Sequence, residues 1–183
     1  MVTADGVAGD CQADHRVHGA PDKAVYAYPI AAYPLWRAAT PLHAERLIPG
    51  AMGENLTVAG WTDSDVCIGD RVRIGTALLQ VTEPRTPCYK LGLAFADPAM
   101  VRIFARVAVS GWYYRVLEAG DIGDGDDLTR VDRFNPEWTV ARFFATITGG
   151  AIDSPTLADI VRLDGVSDGW RRKAERLLKQ RGS

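Results

Sequence analysis

Three short runs of β-branched and apolar residues, Glu54–Val58, Arg71–Ile74 and Ala77–Val81, follow one another with glycine-marked turns between them. Runs this short cannot bury an apolar face alone and must pair with one another. Gly75-Thr76, between two of the runs, predicts a tight hairpin. Ala24–Tyr28 and Trp112–Leu117 have the same strand character. Many short strands with few helices predict a mainly β, α+β fold built on a small closed or nearly closed barrel. At 183 residues and 47% hydrophobic, the chain can bury a proper core.

Other signals place the helices. Before Lys23 the sequence lacks periodicity and predicts an extended arm or loop. Pro29 suits the first turn of a helix running through Ala31, Leu35 and Trp36. Asp97-Pro98 reads as N-cap and first helical position, with Val101, Phe104, Ala105 and Ala108 at helical spacing behind it. Asp121–Asp127 is acidic and glycine-rich, lacks the closing Glu of a calcium loop, and predicts a hairpin turn. From Val140 the period lengthens: Val140, Phe143, Phe144 and Ile147 share one face, Leu157, Ile160 and Val161 a second, Trp170, Ala174, Leu177 and Leu178 a third. The chain therefore divides at Asn135-Pro136-Glu137 into a barrel, 1–136, and a three-helix extension, 137–183, packed on itself or on a partner.

A net charge of −2 gives no polyanion-binding surface, so no nucleic-acid partner is expected. No apolar run approaches the roughly 20 residues of a membrane span. The start lacks the basic and apolar segments of a signal peptide, which predicts a cytoplasmic protein. Cys11, Cys67 and Cys88 are irregularly spaced with no Cys-x-x-Cys pair, arguing against structural zinc, a redox pair or a disulfide framework. Cys67 sits between apolar residues and reads as core; His43 reads as a surface residue.

Cys88 carries the chemistry. It ends Thr82-Glu83-Pro84-Arg85-Thr86-Pro87-Cys88, with Tyr89-Lys90 behind it. Two prolines take this segment out of a sheet ladder into a shaped loop. Arg85 and Lys90 favour the thiolate, the form that attacks or ligates. A buried, inert thiol is the alternative the same residues allow. His15–Ala24 gathers two histidines, an arginine and a lysine about a Gly and a Pro, suited to an oxyanion or phosphate, though taken alone it reads first as a solvated polar loop. Gly50–Asn55 lets backbone approach a ligand, and Asn55 can pair with a heterocycle or hold a turn.

Taken in order, His18-Gly19 with Asp22-Lys23-Ala24, Gly53-Glu54-Asn55-Leu56, Cys67-Ile68-Gly69-Asp70 and Pro84–Lys90 resemble the MOSC domain, named for the C-terminus of molybdenum cofactor sulfurase. Gly9–Asp14, Gly111-Trp112-Tyr113 and the helices from Val140 resemble its YiiM-type branch. The resemblance implies a β-barrel holding molybdenum cofactor, a pterin dithiolene ending in phosphate. Cys88 would be the catalytic residue and ligate the metal; Arg85, Lys90, His18 and Lys23 would bind the anionic cofactor, and Asn55 would orient the pterin. It implies reduction of N-hydroxylated compounds such as 6-hydroxylaminopurine to amines, with electrons from a separate reductase and a homodimer as one assembly. Pyridoxal phosphate binding is associated with the family, but with no residue here. Two alternatives stand beside it: a non-catalytic cofactor or persulfide carrier, and a cysteine-dependent transferase or hydrolase pairing Cys88 with His18. The chain departs from the family by starting close to Gly9–Asp14, where further strands are usual, which implies a curtailed barrel or an earlier start. Ala20 replaces a usual Gly, at a cost of about 1 kcal/mol if φ is positive there, and Cys11 is an unusual choice.

Overall fold

The computed structural model describes residues 1–7 and 21–181. The expectations for His15, His18, Ala20 and Cys11 therefore fall outside the described residues. Six strands form one curled sheet: β3 (Val25–Pro29), β4 (Leu56–Val58), β5 (Arg71–Ile74), β6 (Ala77–Pro84), β7 (Trp112–Glu118) and β8 (Leu128–Asp132). Their order is β4-β3-β7-β6-β5-β8, with only β3 and β4 parallel. The edges β4 and β8 do not pair; they face each other across a cleft of about 440 Å³ lined by Leu56, Val58, Ile74 and Leu128. The sheet is thus a half-barrel with an open seam. Ahead of it, β1 (Val2–Thr3) and β2 (Gly6–Val7) form a minute hairpin, and Val2 bonds Gly120 in both directions, so this part of the expected arm is structured.

The hairpin at Gly75-Thr76 joins β5 to β6 as the sequence predicts. Other expectations shift. Pro29 closes β3 instead of opening a helix, and α1 starts at Ala32 (Ala32–Ala39); Ile30 N–H donates to Val58 O, keeping the chain on the sheet beyond Pro29. Pro84 lies inside β6, opposite Trp112, so the strand runs three residues further than its apolar run; the loop begins at Arg85. Asp121–Asp127 is no hairpin turn. It links β7 to β8, which lie three places apart in the sheet, and β8 pairs with β5. Strand β8 was not apparent from its polar sequence, because as an edge it leaves its side chains half or fully exposed.

A helical layer covers one side: α1, a 3₁₀ helix (Pro41–Arg46), α2 (Tyr89–Phe95) and α3 (Ala99–Val107). Asp97 Oδ1 accepts from Ala99 N–H at 2.8 Å and so caps α3, one residue further from the helix than expected. Its other oxygen lies 3.0 Å from His43 Nε2. His43 is buried against the Phe95 ring, which corrects the surface reading: the Asp97 carboxylate satisfies the imidazole inside.

The last three helices are α4 (Val140–Thr148), α5 (Ser154–Arg162) and α6 (Asp168–Arg181), with α4 and α5 capped by Thr139 and Asp153. They pack on one another and on the sheet. Phe143 meets Trp138 and Trp170 edge-on, at 5.8 and 5.6 Å between ring centres, within the core that also holds Val72, Leu79 and Val81. Backbone contact seats α6. Gly69 (φ +84°) and Gly165 (φ +71°) pass so closely that a Cβ on Gly165 would stand 2.7 Å from Gly69 Cα. A Cβ on Gly69 would lie 2.4 Å from Asp164 O. Nearby, Asp70 is fully buried, receives Arg133 through both carboxylate oxygens at 2.9 and 2.6 Å, and holds Cys67 N–H at 3.0 Å. Cys67 is core, as its neighbours predict.

Candidate functional site

Cys88 is the last of the four loop residues between β6 and α2, at the N-cap of α2. Its backbone is extended (φ −131°, ψ 142°) and its sulfur makes no capping bond. It forms no disulfide and is half-buried. The thiol is therefore neither walled into the core nor spent on local structure.

Arg85, three residues earlier, folds back over the sheet. Its guanidinium lies 4.9 Å from the centre of the Tyr26 ring and donates to Met52 O in the Gly50–Asn55 turn. The Tyr26 and Tyr113 rings stand 5.0 Å apart, and Lys23 Nζ lies 5.4 Å over Tyr113. Two cations and two phenols thus form one floor. Burial works against the Arg85 charge, but the two phenols and the Cys88 sulfur outweigh it and raise the guanidinium pKa. Burial likewise pushes the Tyr113 phenol up, opposed by Arg85 and Lys23. Cys88 and Arg85 share the short loop that leaves β6, so floor and thiol belong to one end of the sheet.

Lys23 is already matched. Its ammonium lies 2.7 Å from Glu83 Oε1, and Glu83, only 5% exposed, accepts at its other oxygen from the Ser167 hydroxyl. Ser167 precedes α6 and also accepts from Trp170 N–H at 3.3 Å. Beside it, Asp22 accepts from Asp168 N–H at 2.7 Å and pairs with Arg115 at 2.7 Å. The Asp22-Lys23 pair therefore clasps the head of α6 to the sheet.

The structure brings together Cys88, Arg85 and Lys23, with Lys90 half-buried in the first turn of α2. Asn55 contributes differently: its Oδ1 accepts from Tyr26 N–H at 2.8 Å and its own N–H donates to Tyr26 O at 2.8 Å, fixing the turn against β3. His18 lies outside the described residues. Sequence reasoning passed over Glu83, Ser167, Tyr26 and the site role of Tyr113. A carboxylate inside the buried run Leu79–Pro84 was the available signal for Glu83.

One thiol above a cationic, aromatic floor can ligate a metal or act as a nucleophile. Among the described residues no three His, Cys, Asp or Glu side chains converge as a metal site. A single soft sulfur donor suits a metal that brings its own ligands, and Arg85 suits an anionic one. The donor set therefore fits a dithiolene-bound molybdenum. Also among the described residues, no helix is long and apolar enough to cross a membrane.

Comparison with known proteins bears on the family and the fold. The MOSC domain family model matches residues 14–129. Protein YiiM of Escherichia coli is 35% identical over 176 residues, spanning 96% of this chain and 78% of that one. The crystal structure of that protein covers the whole of this chain and 86% of its own, with a TM-score of 0.88 and 31% identity. A protein of Gibberella moniliformis named as a reductase is 37% identical over 162 residues, which span 88% of this chain but only 29% of that one.

Proposed function

The chain belongs to the MOSC domain family, and from that premise we propose that it binds molybdenum cofactor and reduces N-hydroxylated substrates such as 6-hydroxylaminopurine to amines. The observation that carries this reading is the half-buried, unspent Cys88 thiol beside the Arg85–Tyr26–Tyr113 floor. Cys88 ligates the metal through sulfur. Arg85, seated over the Tyr26 ring, would meet the negative charge of the cofactor, and Lys90 would add a second cation. Lys23 belongs to the same set but acts with Glu83 as a matched pair, so it orients more than it attracts. When bound, the cofactor supplies two-electron chemistry that no side chain offers; the protein binds, orients and excludes water. The balance is R–NHOH + 2 e⁻ + 2 H⁺ → R–NH₂ + H₂O. A relative named as a reductase supports the reaction class.

Metal analysis of protein made in a host that synthesises the cofactor is the direct test. One molybdenum per chain is expected, with metal and hydroxylaminopurine reduction both lost in Cys88→Ser. Full activity in that variant overturns the reading. Cofactor retained without turnover under any electron donor assigns the protein as a carrier instead.

A further inference from the structure

The helical layer next to Cys88 is positively charged, as the last helix is. Residues 30–48 and 85–107 carry six basic side chains and two acidic ones, in a chain of net charge −2. Around the sheet, cations such as Lys23, Arg73, Arg115 and Arg133 lie within ion-pair distance of carboxylates. In this layer, among the described residues, Arg37, Arg46, Lys90, Arg102 and Arg106 have no such partner. Arg37, Arg46 and Arg106 donate instead to backbone carbonyls of Leu47, of Ala94 and Phe95, and of Ala39, which ties the layer together and leaves its charge uncancelled.

Large apolar side chains stand exposed in the same layer. Tyr89 (69% exposed) and Leu93 (71%) are one turn apart on α2, directly after Cys88. Leu42 (86%) rises from the 3₁₀ helix that Arg46 binds to α2. Apolar points within unmatched positive charge are the anatomy of an interface for an acidic protein surface.

The proposed reduction consumes two electrons, and three irregularly spaced cysteines cannot build an iron–sulfur centre to store them. The electrons therefore reach these residues from outside them, through a donor that must approach the Cys88 end of the fold. We infer that the face formed by Tyr89, Leu93 and Leu42, with Lys90, Arg46 and Arg102 around it, docks the electron donor: a redox protein with acidic residues around the exposed edge of its prosthetic group. Leu93 lies five residues beyond Cys88, about 7.5 Å of helical rise, so a donor seated there is close to the metal ligand. A second copy of this chain fits less well, because two-fold pairing sets the same cations against each other. The inference rests on the reductase reading for its need of electrons, but the docking is measurable without turnover.

The test uses flavodoxin, a small acidic flavoprotein, as probe, with the cofactor-free and cofactor-loaded proteins. Leu93→Asp and Arg102→Glu alter exposed residues, so the fold is expected to be kept, with the melting temperature unchanged in Leu93→Asp and slightly lowered in Arg102→Glu, which gives up its attraction for Asp97. Flavodoxin is expected to bind the wild-type chain, more weakly as salt rises, and each variant about tenfold more weakly. In the loaded protein the flavodoxin-driven rate falls with affinity, while reduction driven by dithionite-reduced methyl viologen stays at the wild-type rate. Absent flavodoxin binding, or binding equal in wild type and variants, overturns the inference. So does a loss confined to self-association in sedimentation, or to binding of phosphatidylglycerol vesicles. A missing viologen-driven reaction overturns the reductase reading alone, since the titration still judges the face.

Discussion

The reach of single residues is clearest at Cys88 and Arg85. Two prolines and flanking cations marked this loop in the sequence, because backbone stiffness and charge are local properties. The Tyr26–Tyr113 floor was not legible, because the two tyrosines meet only through strand pairing between β3 and β7. The same holds for Lys23. Its charge was visible, but its pairing with Glu83 depends on a contact across 60 residues. Arg85→Lys keeps a cation but loses the flat guanidinium that stacks on Tyr26. The expected cost is about 1 kcal/mol of stability by urea denaturation. Cofactor occupancy is expected to fall with it, measured as molybdenum per chain. Cys88→Ser, at a half-buried site with no structural bond, should shift stability by no more than about 0.5 kcal/mol. That separates loss of metal from loss of fold.

Among the elements, strands with alternating or continuous apolar residues were readable, and β5 emerged with its expected limits. Elements governed by partners were not: β8 is polar, and Pro84 prolongs β6 because it ends the ladder opposite Trp112. The junction of α2 and α3 carries a pH dependence. The His43 ring nitrogen and then the Ala99 N–H hold the Asp97 carboxyl below the usual carboxylate range. A lowered folded-state pKa adds stability that is fully present above the unfolded value, about 3.9, and disappears as pH falls through the folded value. Urea midpoints of wild type and Asp97→Asn should differ at pH 6 and converge as pH falls through the lowered folded-state value. At the head of α6, Ser167→Ala leaves the buried Glu83 short of a donor. About 1–2 kcal/mol should be lost, with Ser167→Thr restoring most of it in the same denaturation assay.

For the molecule as a whole, the sequence divides where the period changes, yet one apolar core spans both sides. Val72 and Leu79 of the sheet share it with Phe143, Leu157 and Trp170 of the last helices. The periodicity of α4 to α6 showed which faces were apolar; it held no record of what they would cover, since that is settled by the curl of the sheet. Phe143→Ala, at a fully buried position between two tryptophans, should cost about 3–5 kcal/mol. Circular dichroism and tryptophan fluorescence should then report the same single transition, at a lower denaturant concentration than wild type.

The close passage of Gly69 and Gly165 sets a rule for inheritance. Neither position tolerates even a methyl group while the other's backbone stays where it is. Lineages that keep the tail helix seated on the sheet should retain both letters, and lineages that shed the tail should be free to change Gly69. Across an alignment, those two columns would act as a marker, telling an intact architecture from a shortened one before any coordinates exist.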